Sequence, residues 1–185
     1  MSAPVTREGA REKAARITVL LLDVDGVLTD GRIVYDADGR EIKAFHVRDG
    51  HGIKMVQQAG IEVGIVTGRR STIVESRARE LGIALVRQGV SDKLGAWRDL
   101  LKKKGLVPAQ TGFVGDDILD VPLMRAVGFA AAVGDAEPYV AEVADYVAGR
   151  PGGKGAVREI TEFLLRARGA WETVTAEFLT PRKNT

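Results

Sequence analysis

Three aspartates and two glycines follow a short apolar run in LLLDVDGVLTDG, residues 20–31. Carboxylates held close together repel one another, and burying them costs several kcal/mol unless something compensates. A cation is the simplest compensation. Mg²⁺ suits this purpose because it prefers hard oxygen ligands and usually keeps several waters, so that a few carboxylate or carbonyl oxygens suffice. The segment therefore predicts metal-assisted chemistry centred on Asp23 and Asp25.

Polar residues also end three later apolar runs of the chain. They are Thr67 and Gly68 after GIEVGIV, Ser91, Asp92 and Lys93 after IALVRQGV, and Asp116, Asp117 and Asp120 after TGFVG. The chain contains no cysteine, which excludes a thiolate nucleophile and thiolate metal ligands. Carboxylates combined with one hydroxyl and one ammonium group suit a phosphoryl group held by Mg²⁺.

Each of these side chains has a predicted role in phosphoryl transfer. Asp23 acts as the nucleophile and forms an aspartyl-phosphate, which divides a very slow hydrolysis into two easier steps. Asp25 gives a proton to the leaving alcohol and then activates water, which requires two neighbouring carboxyl groups with different pKa values. Thr67 hydrogen-bonds a phosphoryl oxygen, and Lys93 neutralises charge that develops during transfer.

The predicted metal ligands are Asp23, Asp25 and Asp116, supported from outside the ligand set by Asp117 and Asp120. Structural alternatives exist for several of the assignments. Carboxylates that follow a strand often only cap the next helix. A lysine such as Lys93 is often surface charge, although the dipole of a helix disfavours a cation in its first turn.

Apolar runs alternate with helical stretches along most of the chain, and continuous apolar strands of this kind are typical of a parallel sheet covered on both faces. Strands are predicted at 17–24, 60–68, 83–88, 111–117, 129–136 and 144–148, and helices near 50–59, 70–81, 92–104, 118–127, 137–143 and 155–168. The pattern predicts a doubly wound α/β fold. Ligands bind at the carboxyl ends of the strands in such sheets, which is where the polar residues lie.

A different pattern occupies residues 31–47, where two alternating runs flank Asp38 and Gly39. It predicts a β-hairpin inserted after the first strand. GRPGGKGAV, residues 149–157, does not match the phosphate-binding pattern GxxxxGK[ST], because Ala148 stands where the pattern needs its first glycine and Gly155 stands where it needs serine or threonine. We predict a flexible loop there, before the last helix and near the mouth of the site.

Composition indicates one globular domain, since the chain has 185 residues, 45% of them hydrophobic and 28% charged. Its formal net charge of +2 arises from basic terminal segments around a slightly acidic middle, which argues against a nucleic-acid surface. No apolar run approaches the roughly 20 residues of a membrane span, and the first residues are charged where a signal peptide is apolar. We expect a cytoplasmic protein without membrane or nucleic-acid partners.

DVDGVLTDG, VTGR, SDKL and GDDILD, in this order, resemble the four motifs of the haloacid dehalogenase superfamily of phosphohydrolases. The first of them, DxDGxxT, is the most specific. FHVRDGHGIK, GRR, QGVSDKL, GDDILDVPLM and GGKGAVREI are further similar to the family of 3-deoxy-D-manno-octulosonate (KDO) 8-phosphate phosphatases. The predicted organisation is then a flexible basic extension over 1–16, a phosphatase domain over 17–168 and a C-terminal tail over 169–185.

The resemblance implies a capless, Rossmann-like, Mg²⁺-dependent homotetramer in which inserted hairpins contribute to assembly and a neighbouring subunit helps to close the active site. It implies hydrolysis of a small sugar acid phosphate, KDO 8-phosphate, in lipopolysaccharide precursor synthesis. The family's substrate contacts fall on His46, Val47, Arg48, Asp49, Gly50, Lys54, Gly68, Arg69, Arg77 and Lys93. Arginine suits such a substrate because it binds a carboxylate through two hydrogen bonds.

Alternatives remain at this level. A nonulosonate 9-phosphate of the sialic acid type would use the same arginine–carboxylate anchor. A receiver-like signalling domain would place its phosphoacceptor in LVRQGVSD, and it leaves DxDGxxT without an explanation. A non-catalytic module could keep the fold alone. His46 and His51 suit structural or rim positions as well, and Arg48, Arg69 and Arg77 suit salt bridges as well as substrate contacts.

Overall fold

The computed structural model describes residues 4–179, except the side chain of Glu177, and its centre is a seven-stranded sheet. The strands are β1 (Val5–Thr6), β2 (Val19–Leu22), β5 (Glu62–Val66), β6 (Leu85–Arg87), β7 (Thr111–Gly115), β8 (Phe129–Ala132) and β9 (Tyr146–Val147). Their order is β1-β9-β8-β7-β2-β5-β6. All neighbouring pairs are parallel except β1 with β9. Strand β2 lies inside the sheet, between β7 and β5, which places the residues that follow it near the middle of one sheet edge.

Helices cover both faces of the sheet. One face packs against α1 (Ala10–Arg16), α2 (Val47–Gln58), α3 (Thr72–Leu81), α7 (Ala156–Ala167) and α8 (Trp171–Leu179). The other packs against α4 (Lys93–Lys104), α5 (Val121–Met124) and α6 (Pro138–Ala141). Alternate residues of β2 point to opposite faces of the sheet: Leu20 and Leu22 pack in the core beneath the first set of helices, and Leu21 packs beneath the second. This arrangement confirms the predicted doubly wound α/β fold.

The predicted helix over 118–127 is shorter in the structure. A 3₁₀ turn at Ile118–Asp120 comes first, and α5 begins only at Val121. Pro122 accounts for this start, because a proline lacks a backbone N–H and is accommodated in the first turn of a helix. The predicted strand over 60–68 ends at Val66, so Thr67 and Gly68 lie in the loop that follows.

The N-terminal segment differs from the predicted flexible extension. Strand β1 pairs antiparallel with β9, and α1 buries Ala10 and Ala14 against the domain. Lys13 Nζ donates to Asp145 Oδ1 at 2.6 Å. The small buried residues are spaced four apart, which places them on one face of a helix. Residues 1–3 of the predicted extension lie outside the described part of the chain.

The C-terminal segment also differs from a simple tail. Helix α8 buries Val174 against the core. The guanidinium of Arg166 lies 4.1 Å from the centroid of the Trp171 ring, a cation–π contact that ties α8 to α7. Residues 180–185 of the predicted tail lie outside the described residues.

Residues 31–47 contain two short antiparallel strands, β3 (Val34–Tyr35) and β4 (Glu41–Ile42). Val34 lies opposite Ile42, and Tyr35 lies opposite Glu41. The strands are shorter than the two alternating runs of the sequence. Gly39 adopts a φ of +77° in the connecting turn, a left-handed conformation that favours glycine. Within residues 4–179, no helix is both long and apolar enough to cross a membrane.

Candidate active site

A cleft of about 600 Å³ opens at the carboxyl ends of four adjacent strands, β7, β2, β5 and β6. Because these strands are parallel, the loops that follow them meet at one edge of the sheet. The lining residues are Asp23, Asp25, Gly31, Thr67, Gly68, Arg69, Gly89, Val90, Ser91, Lys93, Asp116, Asp117, Leu119 and Asp120. The fold therefore brings all the predicted catalytic and metal-binding residues to one place.

Lys93 lies at the buried floor of this cleft. Its Nζ is 2.9 Å from Asp23 Oδ2 and 2.6 Å from Asp120 Oδ1. Burial alone would lower the pKa of Lys93, but the two carboxylates outweigh it and raise the pKa, so the ammonium group stays charged. Asp92 caps α4 and accepts a hydrogen bond from Gly95 N at 2.9 Å. The two carboxylates compensate for the unfavourable dipole at this helix end.

Asp120 connects Lys93 to the loop that follows β7. Its Oδ1 accepts from Lys93, and its Oδ2 accepts from the backbone N–H of Asp116 at 3.0 Å. Both oxygens are therefore engaged, and the carboxylate holds Lys93 and Asp116 in place. This geometry fits the prediction that Asp120 supports the metal ligands from outside the ligand set.

Two carboxylate oxygens of the site, Asp23 Oδ1 and Asp116 Oδ1, are buried without a hydrogen-bond partner among the described residues. One oxygen from each of Asp23, Asp116 and Asp120 lies within 4.8 Å of the other two. Burial first, and Asp120 next, raise the pKa of Asp23 to about 6 against the opposing effect of Lys93. Burial first, and Asp23 and Asp120 next, raise the pKa of Asp116 to about 8.

A single bound cation would account for both the unpartnered oxygens and the raised pKa values. A hard divalent cation between Asp23 and Asp116 would satisfy both unpartnered oxygens and would remove the repulsion that raises both pKa values. The donor set, made only of oxygens, fits Mg²⁺. Asp25, also predicted as a ligand, directs its carboxylate toward the hairpin, where it contacts Lys43 and lies 4.0 Å from Arg69 Nε.

The remaining predicted residues of the cleft have distinct positions. Thr67 is buried, and its backbone N–H donates to Arg87 O at 2.9 Å, which fixes the loop after β5. Gly68 is exposed beside it. Asp117 is exposed and caps the 3₁₀ turn, where it accepts from Ile118 N at 2.6 Å and from Tyr139 Oη at 3.2 Å. Asp117 therefore acts as a helix cap, which is the structural alternative stated for the carboxylates that follow a strand.

The structure separates the predicted substrate contacts. Gly68, Arg69 and Lys93 line the catalytic cleft. The others lie in three further places. His46, Asp49, Gly50 and Arg77 line a small cavity, Arg48 lines a surface pocket with Arg150 and Arg158, and Lys54 lies near Gly82 at the end of α3. Val47 is 77% exposed.

Asp49 has a clear structural task. Its carboxylate is buried and accepts from the backbone N–H groups of Arg158 at 2.7 Å and Gly155 at 3.2 Å. Burial raises the pKa of Asp49, while these two hydrogen bonds oppose the change. Asp49 therefore joins the start of α2 to the start of α7. The first backbone N–H groups of a helix have no partner within the helix, and the Asp49 carboxylate accepts from two of them.

Sequence reasoning missed Lys43. Its side chain is 2% exposed, and its Nζ donates to Asp25 Oδ1. The signal was the period of two in EIKAF, which places Glu41, Lys43 and Phe45 on the same side of an extended segment. Phe45 packs against the core, so the alternation also directs Lys43 inward.

Sequence reasoning also missed a close contact between two glycines. A Cβ on Gly152 would overlap the carbonyl oxygen of Gly26, and a Cβ on Gly26 would overlap the carboxylate of Asp116. Gly26 also has a φ of +91°. The loop before α7 therefore presses on the loop that carries the aspartates.

Known proteins resemble this chain in sequence and in fold. A family model of haloacid dehalogenase-like hydrolases matches residues 83–160. The 3-deoxy-D-manno-octulosonate 8-phosphate phosphatase of Escherichia coli strain K12 is 50% identical over 157 residues, 85% of this chain and 84% of that protein. The crystal structure of the Moraxella catarrhalis phosphatase, in complex with a magnesium ion, a phosphate ion and KDO, is 41% identical with a TM-score of 0.89 and covers 91% of this chain and 97% of that chain.

A cobalt-bound relative shows the same likeness. The deoxy-D-mannose-octulosonate 8-phosphate phosphatase of Haemophilus influenzae is 45% identical with a TM-score of 0.83, over 87% of this chain and 94% of that chain. The resemblance stated from the motifs is thereby confirmed. Similarity of this extent, together with the shared fold, shows that the chain belongs to the haloacid dehalogenase-like hydrolases, in the family of 3-deoxy-D-manno-octulosonate 8-phosphate phosphatases.

Proposed function

We propose that the chain is a Mg²⁺-dependent phosphomonoesterase that hydrolyses 3-deoxy-D-manno-octulosonate 8-phosphate to 3-deoxy-D-manno-octulosonate and phosphate. The observation that carries this proposal is the pair of unpartnered buried oxygens on Asp23 and Asp116, next to the charged Lys93. Relatives about half identical to this chain bear the name of that phosphatase. The reaction would serve lipopolysaccharide precursor synthesis in the cytoplasm.

Asp23 and Asp116 would hold the metal ion, with Asp120 fixed beside them. When bound, the ion screens the negative charges of the carboxylates and of the phosphoryl group, so that an anionic nucleophile and an anionic substrate can approach. Lys93 contributes a further positive charge from the protein itself.

The chemistry uses Asp23 and Asp25 in two steps. In the first, an Asp23 carboxylate oxygen bonds to phosphorus, the bond from phosphorus to the sugar oxygen breaks, and protonated Asp25 gives that oxygen its proton. In the second, Asp25 takes a proton from water as the water oxygen attacks the phosphorus of the aspartyl-phosphate. Phosphate leaves, Asp23 is regenerated as a carboxylate, and Asp25 is protonated again.

Other residues of the cleft would bind the substrate. The Thr67 hydroxyl and the Lys93 ammonium group hydrogen-bond phosphoryl oxygens. Arg69, whose side chain is 36% exposed at the edge of the cleft, meets the carboxylate of the sugar acid. The predicted contacts outside this cleft, among them Arg48 and Arg77, would have to act from a neighbouring subunit or through the fold.

We also propose that the protein is a homotetramer assembled through its hairpins. The hairpin exposes Ile33 by 59%, Val34 by 43%, Tyr35 by 58% and Ile42 by 49%. An isolated two-stranded hairpin is at best marginally stable in water, and clustered exposed apolar side chains mark interaction surfaces. A neighbouring copy that covers this hairpin would satisfy both requirements.

Asp23→Asn tests the chemistry. The amide cannot attack phosphorus, so phosphate release from KDO 8-phosphate with Mg²⁺ should fall by at least about 10³-fold, while circular dichroism and the elution volume stay those of the wild type. Asp99→Asn, on the far part of α4, is the matched control and should retain turnover. An Asp23→Asn protein with wild-type turnover would remove Asp23 from the mechanism.

A panel of sugar acid phosphates tests the substrate. The eight-carbon acid should give a higher kcat/KM than a nine-carbon nonulosonate 9-phosphate. A preference for the nine-carbon ester would reject the proposed substrate and keep the phosphatase chemistry. No turnover of any ester with Mg²⁺ would reject the phosphatase proposal as a whole.

A further inference from the structure

Lys43 is a buried cation that the catalytic scheme above does not use. Its side chain is 2% exposed, and its Nζ donates to Oδ1 of Asp25. The other oxygen, Asp25 Oδ2, lies 4.0 Å from Arg69 Nε, beyond hydrogen-bond distance. One carboxylate oxygen is therefore tied to the hairpin, and the other is left to exchange a proton in the cleft.

Lys43 is itself held by a second residue of the hairpin. Its Nζ lies 3.4 Å from Glu41 Oε1. The same Glu41 oxygen accepts from Arg69 Nη2 at 2.9 Å. Asp25, Lys43, Glu41 and Arg69 thus form a chain of alternating charges, two of them supplied by the hairpin and two by the loops after β2 and β5.

Stability alone is a poor reason for this arrangement. A buried ion pair loses much hydration, and replacing it with packed apolar side chains is often neutral or stabilising. Position 43 therefore does not need a charge to hold the hairpin against the core, since Phe45 already packs against the core from the same side of this extended segment. The hydrogen bond of this ammonium group goes to Asp25, which is the residue proposed to move protons.

We infer that Lys43 is a positioning residue for the reaction: it fixes the rotation of the Asp25 carboxylate, and Glu41 keeps Lys43 and Arg69 in register with it. This inference rests on the proposed phosphatase function. The hairpin then has a second task beyond assembly, because it completes the acid–base end of the site within its own chain. Proton transfer needs its donor held within a narrow range of distance and angle.

Lys43→Met tests the inference, because methionine keeps an unbranched side chain and removes the charge. We expect kcat for the sugar acid phosphate to fall by about tenfold or more, with KM changed by less than about threefold. Lys43→Arg, which keeps a cationic donor, should recover most of the lost kcat. Arg40→Met is the matched control: Arg40 is paired with Asp38 at 3.1 Å on the exposed turn of the same hairpin, and its loss should leave kcat and KM at wild-type values.

A double-mutant cycle separates positioning from general destabilisation. In an Asp25→Asn background, Lys43→Met should cause no further loss of kcat, because its effect passes through Asp25. Additive losses would overturn the inference, as would a Lys43→Met enzyme with wild-type kcat. If Lys43→Met fails to fold, Lys43→Arg decides, since a kcat below a tenth of the wild type in a folded Lys43→Arg protein also overturns it. Absence of turnover in the wild type would instead reject the phosphatase proposal.

Discussion

Asp116 shows how a catalytic site opposes the stability of its own fold. Its Oδ1 is buried and has no hydrogen-bond partner within the part of the chain that the structure describes. Burial, followed by the neighbouring Asp23 and Asp120, raises its pKa to about 8. In the unfolded chain the same carboxyl group has its ordinary pKa of 3.8. The folded protein without metal therefore keeps a proton at this position over a wide pH range in which the unfolded chain has lost it.

The sign of the resulting pH dependence follows from linkage. A group whose pKa is raised on folding favours the folded state most below its unfolded pKa, and this advantage is lost as pH rises through the folded value. Stability of the metal-free wild type should therefore fall from about pH 4 to about pH 8. Asp116→Asn does not titrate and should not show this part of the fall.

We expect metal-free Asp116→Asn to match the wild type near pH 4 and to exceed it at pH 8 by about 1–2 kcal/mol, or roughly 3–6 °C in Tm. Excess Mg²⁺ should reverse the order at pH 8, since the wild type gains binding energy that the variant lacks. Thermal melts in EDTA and in Mg²⁺ across this pH range measure both effects. Parallel curves for the two proteins would show that Asp116 is not the strained group.

At the scale of elements, the loop before α7 holds the loop that carries the aspartates. Gly153 N donates to Val27 O at 2.9 Å, and Gly152 N donates to Asp135 Oδ1 at 2.8 Å. Gly152 is so close to Gly26 that a Cβ would overlap its carbonyl oxygen. The sequence predicted a flexible loop at this place, whereas its hydrogen bonds and close contacts hold it against the loop that carries Asp23 and Asp25.

Gly152→Ala should therefore lower kcat by about tenfold or more, because a methyl group displaces the loop next to Asp25 and Asp116. Gly128→Ala is the matched control. A Cβ there would crowd the backbone of Ala109, at the opposite end of β7, so it should destabilise the protein and spare kcat in the folded fraction. Equal kcat values for the two variants, normalised to folded protein, would contradict a role for the loop in positioning the site.

Much of this organisation was predictable from elements with a strong local signal. Continuous apolar runs such as 17–24 fill buried strands, and polar residues directly after them had to meet at one sheet edge. Helix α1 was not predicted because its buried face consists of small residues, Ala10 and Ala14, and most of the other residues in the segment are charged. Its order depends on packing against the rest of the domain, which a local pattern does not contain.

The candidate site divides in the same way. Asp23, Lys93 and Asp116 could be predicted to share one cleft because their residue types and spacing fit one reaction, and all three line the cleft. Lys43 was missed because its role depends on a contact across 18 residues of chain. The predicted substrate contacts Arg48 and Arg77 line two different pockets, and only the tertiary structure shows that neither residue lines the cleft of its own chain.

At the scale of the whole molecule, the hairpin links assembly to catalysis. Lys43 contacts Asp25 of the cleft and Glu41 contacts Arg69. The cross-strand pair of Val34 and Ile42 is 43% and 49% exposed. A surface that buries these apolar side chains against other copies would also restrain the end of the hairpin, where Lys43 contacts Asp25. Loss of assembly should therefore reduce activity even though no catalytic side chain has changed.

The double variant Val34→Asp/Ile42→Asp tests this coupling. Each subunit would bring two new carboxylates to the apolar surface that its hairpin shares with other copies. Burying unpaired carboxylates costs free energy, so a tetramer should dissociate into smaller species. Light scattering after size exclusion should show the lower mass, and kcat/KM for the sugar acid phosphate should fall by about tenfold or more as the hairpin loosens. Val107→Asp changes another exposed valine, 55% exposed before β7, and should keep both mass and activity. A double variant that retains the wild-type mass would place the assembly interface elsewhere, and one that dissociates with full activity would separate assembly from catalysis.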